Sequence, residues 1–495
     1  MVHPRKFVRD SLSVALSQYL ARAVILARGL VAARALGPRG FGGWNALSLI
    51  FDYGSYASFG ALQGLDLRLP APAAEGDAAR ARRLMAAAWS VVLAGGALFG
   101  AGLALYLATG GKAFSALPGA GLPLLMLAAA LLQLAFQYVT SSLRAHGFFH
   151  AVSAGYAVQA VLGGGLGLAL VWPYGAWGLL AGWIAGTLTA LAWMWRAGVA
   201  VPLVPAHLRE GLSLAGAGVP IFGYFAATLV MRSVDRLALV RYAGAEPLGL
   251  YSLGLMAAGL LLHLPEAAAY VLFPRIAAAF HGAGDRERAR TDALKTHRSL
   301  AVIIPLLAGL GVVWAGPIVT LLLPAYRGGL AALRILSLGA IMLSAATMPG
   351  YYLLAAGRQR LLMAVGALAA LVNATLVFSV AARDPRPEAV AAAASTGYFL
   401  FAVAAMVLAA RAWFESAGAR VWLVAATVIP AVWGGGAAFV LCALGFGDSW
   451  AGALWRTAVL LIAYTPVLAW LGRGAGLATL AREWLAARSS AAPQA

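Results

Sequence analysis

Charged side chains make up only 11% of this 495-residue chain, so those that fall inside long apolar runs are the most informative chemically. Arg22 lies near the middle of the apolar run 12–36, with Arg28 further along and Arg34 at its end. A guanidinium stays charged in any protein environment, and an arginine at mid-membrane costs about 2.5–3.5 kcal/mol on insertion scales. Arg34 can snorkel to an interface. Arg22 cannot, and is expected to face water, a carboxylate or an anionic ligand. A second cluster, Arg232, Asp235 and Arg236, has i, i+3, i+4 spacing, so an Asp235–Arg232 ion pair is the default and Arg236 shares the face of Arg232. Arginine forks match phosphate oxygens bidentately. Arg22, Arg28, Arg232 and Arg236 together would therefore line a cationic cavity for a phosphate-bearing anion. His263 and Glu266 flank Pro265 one turn apart. A polar kink lining a wet cavity is the favoured reading, and a protonatable coupling pair is the other. Asp52 is a weaker candidate, as partner to an arginine of the first run.

The elements that must position these residues are apolar helices. Hydrophobic residues make up 62% of the chain, with the 58 glycines outside that count, and mean hydropathy is +0.84. Soluble domains reach about 45–50% apolar with glycine included. The chain therefore reads as an all-α polytopic membrane protein. Apolar runs between 12 and 471 give fourteen expected spans at about 20–22 residues each. The runs are continuous rather than alternating, which excludes a β-barrel. The connecting loops are too short to hold a soluble catalytic or nucleotide-binding domain. The N-terminal stretch has no small-residue cleavage site and reads as a retained first span.

The net charge of +19 is accounted for by loops on one side, such as 80–83 and 286–298, rather than by a nucleic-acid surface. The positive-inside rule then puts both termini in the cytoplasm. Tryptophans and tyrosines near span ends (Trp44, Trp172, Tyr174, Trp177, Trp193, Trp195, Trp450, Trp455) read as an interfacial belt. The glycine runs 163–167 and 434–436 read as close-packing surfaces. Metal, nucleophile and phosphate-loop motifs are absent. Cys442 has no partner cysteine. No cofactor and no enzymatic activity are expected.

The chain repeats itself. Arg34-Ala-Leu-Gly37-Pro-Arg-Gly-Phe-Gly42-Gly-Trp44 and Arg241-Tyr-Ala-Gly244-Ala-Glu-Pro-Leu-Gly249-Leu-Tyr251 share the pattern R-x2-G-x4-G-x-aromatic. Leu143-Arg-Ala-His-Gly147 and Leu353-Leu-Ala-Ala-Gly357 echo one another later in each half. The expected organisation is an N-terminal six-helix lobe over 1–200, a second over 201–411, and two further helices with a tail over 412–495. Repeats of equal orientation are related by an axis along the membrane normal, and such bundles change access by rocking.

The stretch ARALGPRGFGGWNAL after an arginine-bearing first helix resembles the opening of Wzx-type O-antigen and exopolysaccharide flippases. VDRLALVRYAGAEPLGLYSL, LFPRIAAAF and LLAAGRQR continue the resemblance, which covers about residues 10–380. Their superfamily (MOP) also holds drug–cation antiporters and the lipid II flippase. The spacing of Arg22, Arg28 and Arg34 before Gly37 is similar to the first helix of the lipid II flippase. By that resemblance Arg22 and Arg28 engage a substrate diphosphate, while Arg34 matches in spacing only. The second-helix arginine cluster of lipid II flippases is missing, since this chain reads GALQGLDLRLP there.

The resemblance implies a bacterial inner-membrane flippase for a polyprenyl-diphosphate-linked oligosaccharide. The bilayer and polysaccharide polymerase or assembly proteins would be its partners. Coupling to H+ or Na+ would run through Asp235, His263 or Glu266. A lipid II flippase and a drug–cation antiporter are the alternatives. Acidic residues would dominate an antiporter cavity, so charge sign discriminates.

Overall fold

In a computed structural model the described residues are 4–111, 121–196, 201–282, 284–444 and 448–474, with the side chains of residues 4–26, 270, 281 and 472–474 outside the description. Among them every regular element is a helix. Two compact units result, Met1–Ser252 with Ala381–Arg386, and Leu253–Val380 with Pro387–Ala495.

The first unit contains α1 (Pro4–Gly54), α2 (Ala61–Arg68), α3 (Pro70–Glu75), α4 (Ala78–Ala108), α5 (Leu122–Ala145), α6 (Phe149–Trp195), α7 (Leu208–Met231) and α8 (Val234–Tyr242). It also contains the start of α9 (Ala245–His281). α1 packs on α5 and α6, and α7 packs on α2 and α4. The second unit continues α9 and adds α10 (Arg286–Leu322), α11 (Leu330–Ala345), α12 (Thr347–Ala355), α13 (Gln359–Arg383), α14 (Pro387–Trp413), α15 (Ala417–Ala443) and α16 (Trp450–Gly474). There α10 packs on α11, α15 and α16, and α11 packs on α14.

Eleven helices among the described residues are long and apolar enough to cross a membrane, against the fourteen spans expected. The two longest helices account for much of the difference. α1 has 51 residues and α6 has 47, where about 20 suffice for one crossing. Each is bent at a glycine with positive φ, Gly37 (φ 65) and Gly175 (φ 56). Each bend also follows or precedes a proline, Pro38 in α1 and Pro173 in α6. Large apolar side chains such as Leu98, Leu105, Leu371 and Ile462 point outward, as lipid-facing surfaces require.

Small residues hold the helices together. The two arms of α6 fold back so closely that a Cβ on Gly182 would lie 2.4 Å from Gly167 N, and one on Gly186 would lie 2.5 Å from Gly163 N. The glycine run in α6 is thus a packing surface, as its sequence indicates. Gly434 and Gly435 of α15 do the same against Tyr464 and Leu338. The Leu143 and Leu353 echoes are the same helix ending. Gly147 (φ 81) and Gly357 (φ 77) are left-handed. Phe148 N–H donates to Leu143 O, and Arg358 N–H donates to Leu353 O, each at 3.0 Å. That six-to-one bond after a left-handed glycine is a Schellman ending.

Candidate functional site

The R-x2-G-x4-G pattern has two structural jobs. Its first glycine makes a left-handed turn, Gly37 at φ 65 and Gly244 at φ 90. Its second glycine removes a side chain at a helix contact: a Cβ on Gly42 would meet Ala245 O at 1.7 Å, and one on Gly249 would meet Pro38 O at 1.8 Å. The two copies therefore pack on each other, backbone to backbone, inside the first unit. Each copy ends in an aromatic residue, and each aromatic engages a charged residue upstream. Trp44 engages Arg28 and Tyr251 engages Asp235. Arg28 stands as far before Arg34 as Asp235 does before Arg241. Equivalent positions of the repeat thus carry a cation in one copy and an acid in the other.

Arg28 is half-buried on α1. Its guanidinium carbon lies 5.7 Å from the Trp44 ring centroid and 5.3 Å from that of Trp183. Nη2 donates to Leu179 O at a long 3.4 Å. Gly167 borders this arrangement, where a Cβ would lie in ordinary contact 3.5 Å from Arg28 Nε. Among the described residues no carboxylate pairs with it. Trp44 therefore does more than anchor an interface: the bend at Gly37 turns it back onto the arginine. Trp183 went unrecognised in the sequence because it reaches Arg28 only through the fold-back of α6. Its own Nε1 is buried without a hydrogen-bond acceptor.

Arg236 has a different environment. It sits in the first turn of α8, donating from Nη2 to Asp52 Oδ2 at 2.7 Å and from Nη1 to Ser48 Oγ at 3.0 Å. Asp52 therefore partners an arginine of α8. Asp235 is fully buried. Oδ2 accepts from the Tyr251 hydroxyl at 2.5 Å and Oδ1 from the Arg236 N–H at 2.7 Å. The expected i, i+3 pairing with Arg232 assumes one continuous helix. The chain instead breaks between α7 and α8 at Arg232 and Ser233. Arg232 becomes the exposed C-cap of α7 while Asp235 turns inward. Tyr53 and Ser233, hydroxyl to hydroxyl at 2.7 Å, close the same α1–α8 contact.

His263 Nδ1 and Glu266 Oε2 lie 3.5 Å apart in α9, both half-buried. The helix continues through Pro265, which lies between the two residues. Arg22 lies in α1, and its side chain is outside the described residues. Of the arginines expected to hold an anion, the structure thus shows Arg28 without a counter-charge among the described residues and Arg236 bound to one.

The described residues thus form an all-helical chain with eleven helices long and apolar enough to cross a membrane, and known proteins share that architecture. Residues 79–325 match the family described as "Polysaccharide biosynthesis protein". Among solved structures, the lipid II flippase MurJ in an inward-closed conformation matches with a TM-score of 0.69 at 14% identity, covering 93% of this chain and 99% of that one. An inward-facing multidrug resistance MATE family transporter of the MOP superfamily matches at 0.61 and 14%, covering 82% and 96%. The Vibrio cholerae MATE transporter VcmN matches at 0.55 and 16%, covering 82% and 98%. No curated protein matches. The family match over residues 79–325 and the shared fold are in line with the chain's resemblance to polysaccharide flippases.

Proposed function

We propose that the protein is a flippase that moves a polyprenyl-diphosphate-linked oligosaccharide from the cytoplasmic to the periplasmic leaflet of a bacterial inner membrane. It would serve O-antigen or exopolysaccharide synthesis. The observation that carries this reading is Arg28, a permanently charged group on a membrane helix with aromatic faces around it and no carboxylate partner among the described residues. An uncompensated charge in an apolar setting is costly. A site that tolerates it is poised for an anion, and a guanidinium flanked by rings keeps its N–H edge for phosphate oxygens. The polysaccharide-biosynthesis match and the full-length likeness to a lipid flippase support a lipid-linked sugar as cargo.

In this reading Arg22 and Arg28 hold the diphosphate and Arg232 adds positive potential. Arg236 contributes less, because Asp52 meets its charge. Transport proceeds by alternating access, with the lipid tail remaining in the bilayer. A bound diphosphate biases the cycle by its differential affinity for the two states.

His263 and Glu266 are the favoured residues for coupling to H+ or Na+, since both oxygens of the Asp235 carboxylate already accept hydrogen bonds. In proteoliposomes, collapsing both ion gradients slows flipping by the wild type and leaves a His263→Gln/Glu266→Gln variant unchanged. Equal rates with and without gradients in the wild type would remove coupling from the account. The flippase reading itself is tested by exposure of a fluorescent polyprenyl-diphosphate oligosaccharide to an external quencher. It requires movement by the wild type and little by Arg28→Ala.

A further inference from the structure

The second unit holds a cavity lined by none of the residues assigned above to the diphosphate. It has a volume of about 130 Å³ and lies where α10, α15 and α16 meet, lined by Arg298, Val302, Trp422, Leu423, Thr427 and Trp470. The α10 sequence explains its polarity. From Arg286 to Arg298 the helix is studded with charge, and from Ser299 onward it is apolar. Arg298 is thus the last cation before the membrane interior. It is half-buried, and among the described residues it has no ion-pair partner. Trp422 at the start of α15 and Trp470 at the end of α16 meet edge to face, with centroids 5.2 Å apart. Both are exposed on the outer face of the unit, as tryptophans at a membrane interface are. The floor is rigid: His297 Nε2 lies 3.0 Å from Thr427 Oγ1, which donates to Leu423 O at 2.9 Å.

An occupant of this cavity must offer negative charge to Arg298 and apolar surface to the indoles and Leu423. The available volume is that of about four waters at roughly 30 Å³ each, enough for a phosphate group but not for an oligosaccharide. One guanidinium balances one phosphodiester charge, whereas a diphosphate would bring uncompensated charge into an apolar pocket. Basic pockets between membrane helices are established sites for anionic headgroups. We propose that this cavity binds the phosphate of an anionic bilayer phospholipid, with Arg298 donating to the phosphate oxygens and Trp422 and Trp470 flanking the glycerol and upper acyl chain. Bound there, the lipid would bridge α10, α15 and α16. The proposal does not rest on the flippase reading.

The test is lipid retention by the full-length protein in detergent, followed by native mass spectrometry during titration with phosphatidylglycerol or phosphatidylcholine. Phosphatidylglycerol is expected to bind the wild type about tenfold more tightly than phosphatidylcholine, whose choline cation offsets the phosphate charge and is repelled by Arg298. Arg298→Gln removes that preference, Arg298→Lys keeps most of it, and Arg288→Gln, an exposed control on the same helix, leaves it unchanged. Ala426→Phe, which fills the cavity while keeping the cation, also abolishes the bound lipid. Undiminished phosphatidylglycerol binding by Arg298→Gln, or equal binding of the two lipids by the wild type, overturns the proposal. So does displacement of phosphatidylglycerol by an equimolar polyprenyl diphosphate, which would assign the cavity to the transported lipid.

Discussion

At the scale of residues, two arginines on neighbouring helices show how differently one side chain can be accommodated, among rings or against a carboxylate. Arg28 is held by Trp44, Trp183 and a distant carbonyl, and each ring contributes about 0.5–2 kcal/mol. Arg236 is held by Asp52 and Ser48 in short hydrogen bonds. Arg28→Lys keeps the charge but loses the flat face that lies on the rings, so flipping is expected to fall well below wild type while the protein still folds. Wild-type flipping by Arg28→Lys would show that only the charge matters. Asp52→Asn should be the more damaging change for stability, because it leaves a largely buried guanidinium without its ion-pair partner. Breaking a buried pair costs about 3–5 kcal/mol, and the partial exposure of Asp52 puts this case at or below the lower end. In thermal unfolding, Asp52→Asn/Arg236→Gln should be more stable than the sum of the single losses. Strict additivity would deny the pair.

At the scale of elements, helix contact is set by missing side chains. Gly42→Ala and Gly249→Ala each push a methyl into a carbonyl oxygen, so the helices must part, at about 1–3 kcal/mol or more. Gly216→Ala, on an exposed face of α7 with nothing within 4 Å, should gain about 0.5–1 kcal/mol from helix propensity. A melting temperature for Gly42→Ala at or above that of Gly216→Ala would contradict the packing account. These glycines were visible in the sequence because a turn and a close approach each demand a residue type at a fixed spacing. The Gly147 and Gly357 echo was visible for the same reason. Continuous apolar runs marked the helices but not how they join, with fourteen spans expected against eleven membrane-length helices among the described residues. Trp183 against Arg28, Asp52 against Arg236, and Tyr251 against Asp235 were not visible. Each depends on a bend or break that brings distant positions together, and i, i+3 spacing misleads once the helix ends at Arg232. The Arg298 cavity was hidden likewise, since its walls come from three separated helices.

At the scale of the whole molecule, charge sign and sidedness decide what can be carried and in which direction. The excess of +19, gathered in loops on one side, predicts cytoplasmic termini. In a Cys442→Ser background, a thiol at Arg288→Cys should react only from the cytoplasmic side and one at Arg327→Cys only from the periplasmic side. The reverse pattern would invert the direction of transport. Under the proposed function, the cationic surroundings of Arg28 suit an anionic cargo rather than a cationic one. The most direct test reconstitutes wild type and Arg28→Ala in liposomes and follows both a fluorescent polyprenyl-diphosphate oligosaccharide and a fluorescent drug cation. The account predicts that the wild type moves the lipid-linked sugar and not the drug, and that Arg28→Ala loses the sugar movement. Drug transport by both proteins with no movement of the sugar would contradict it.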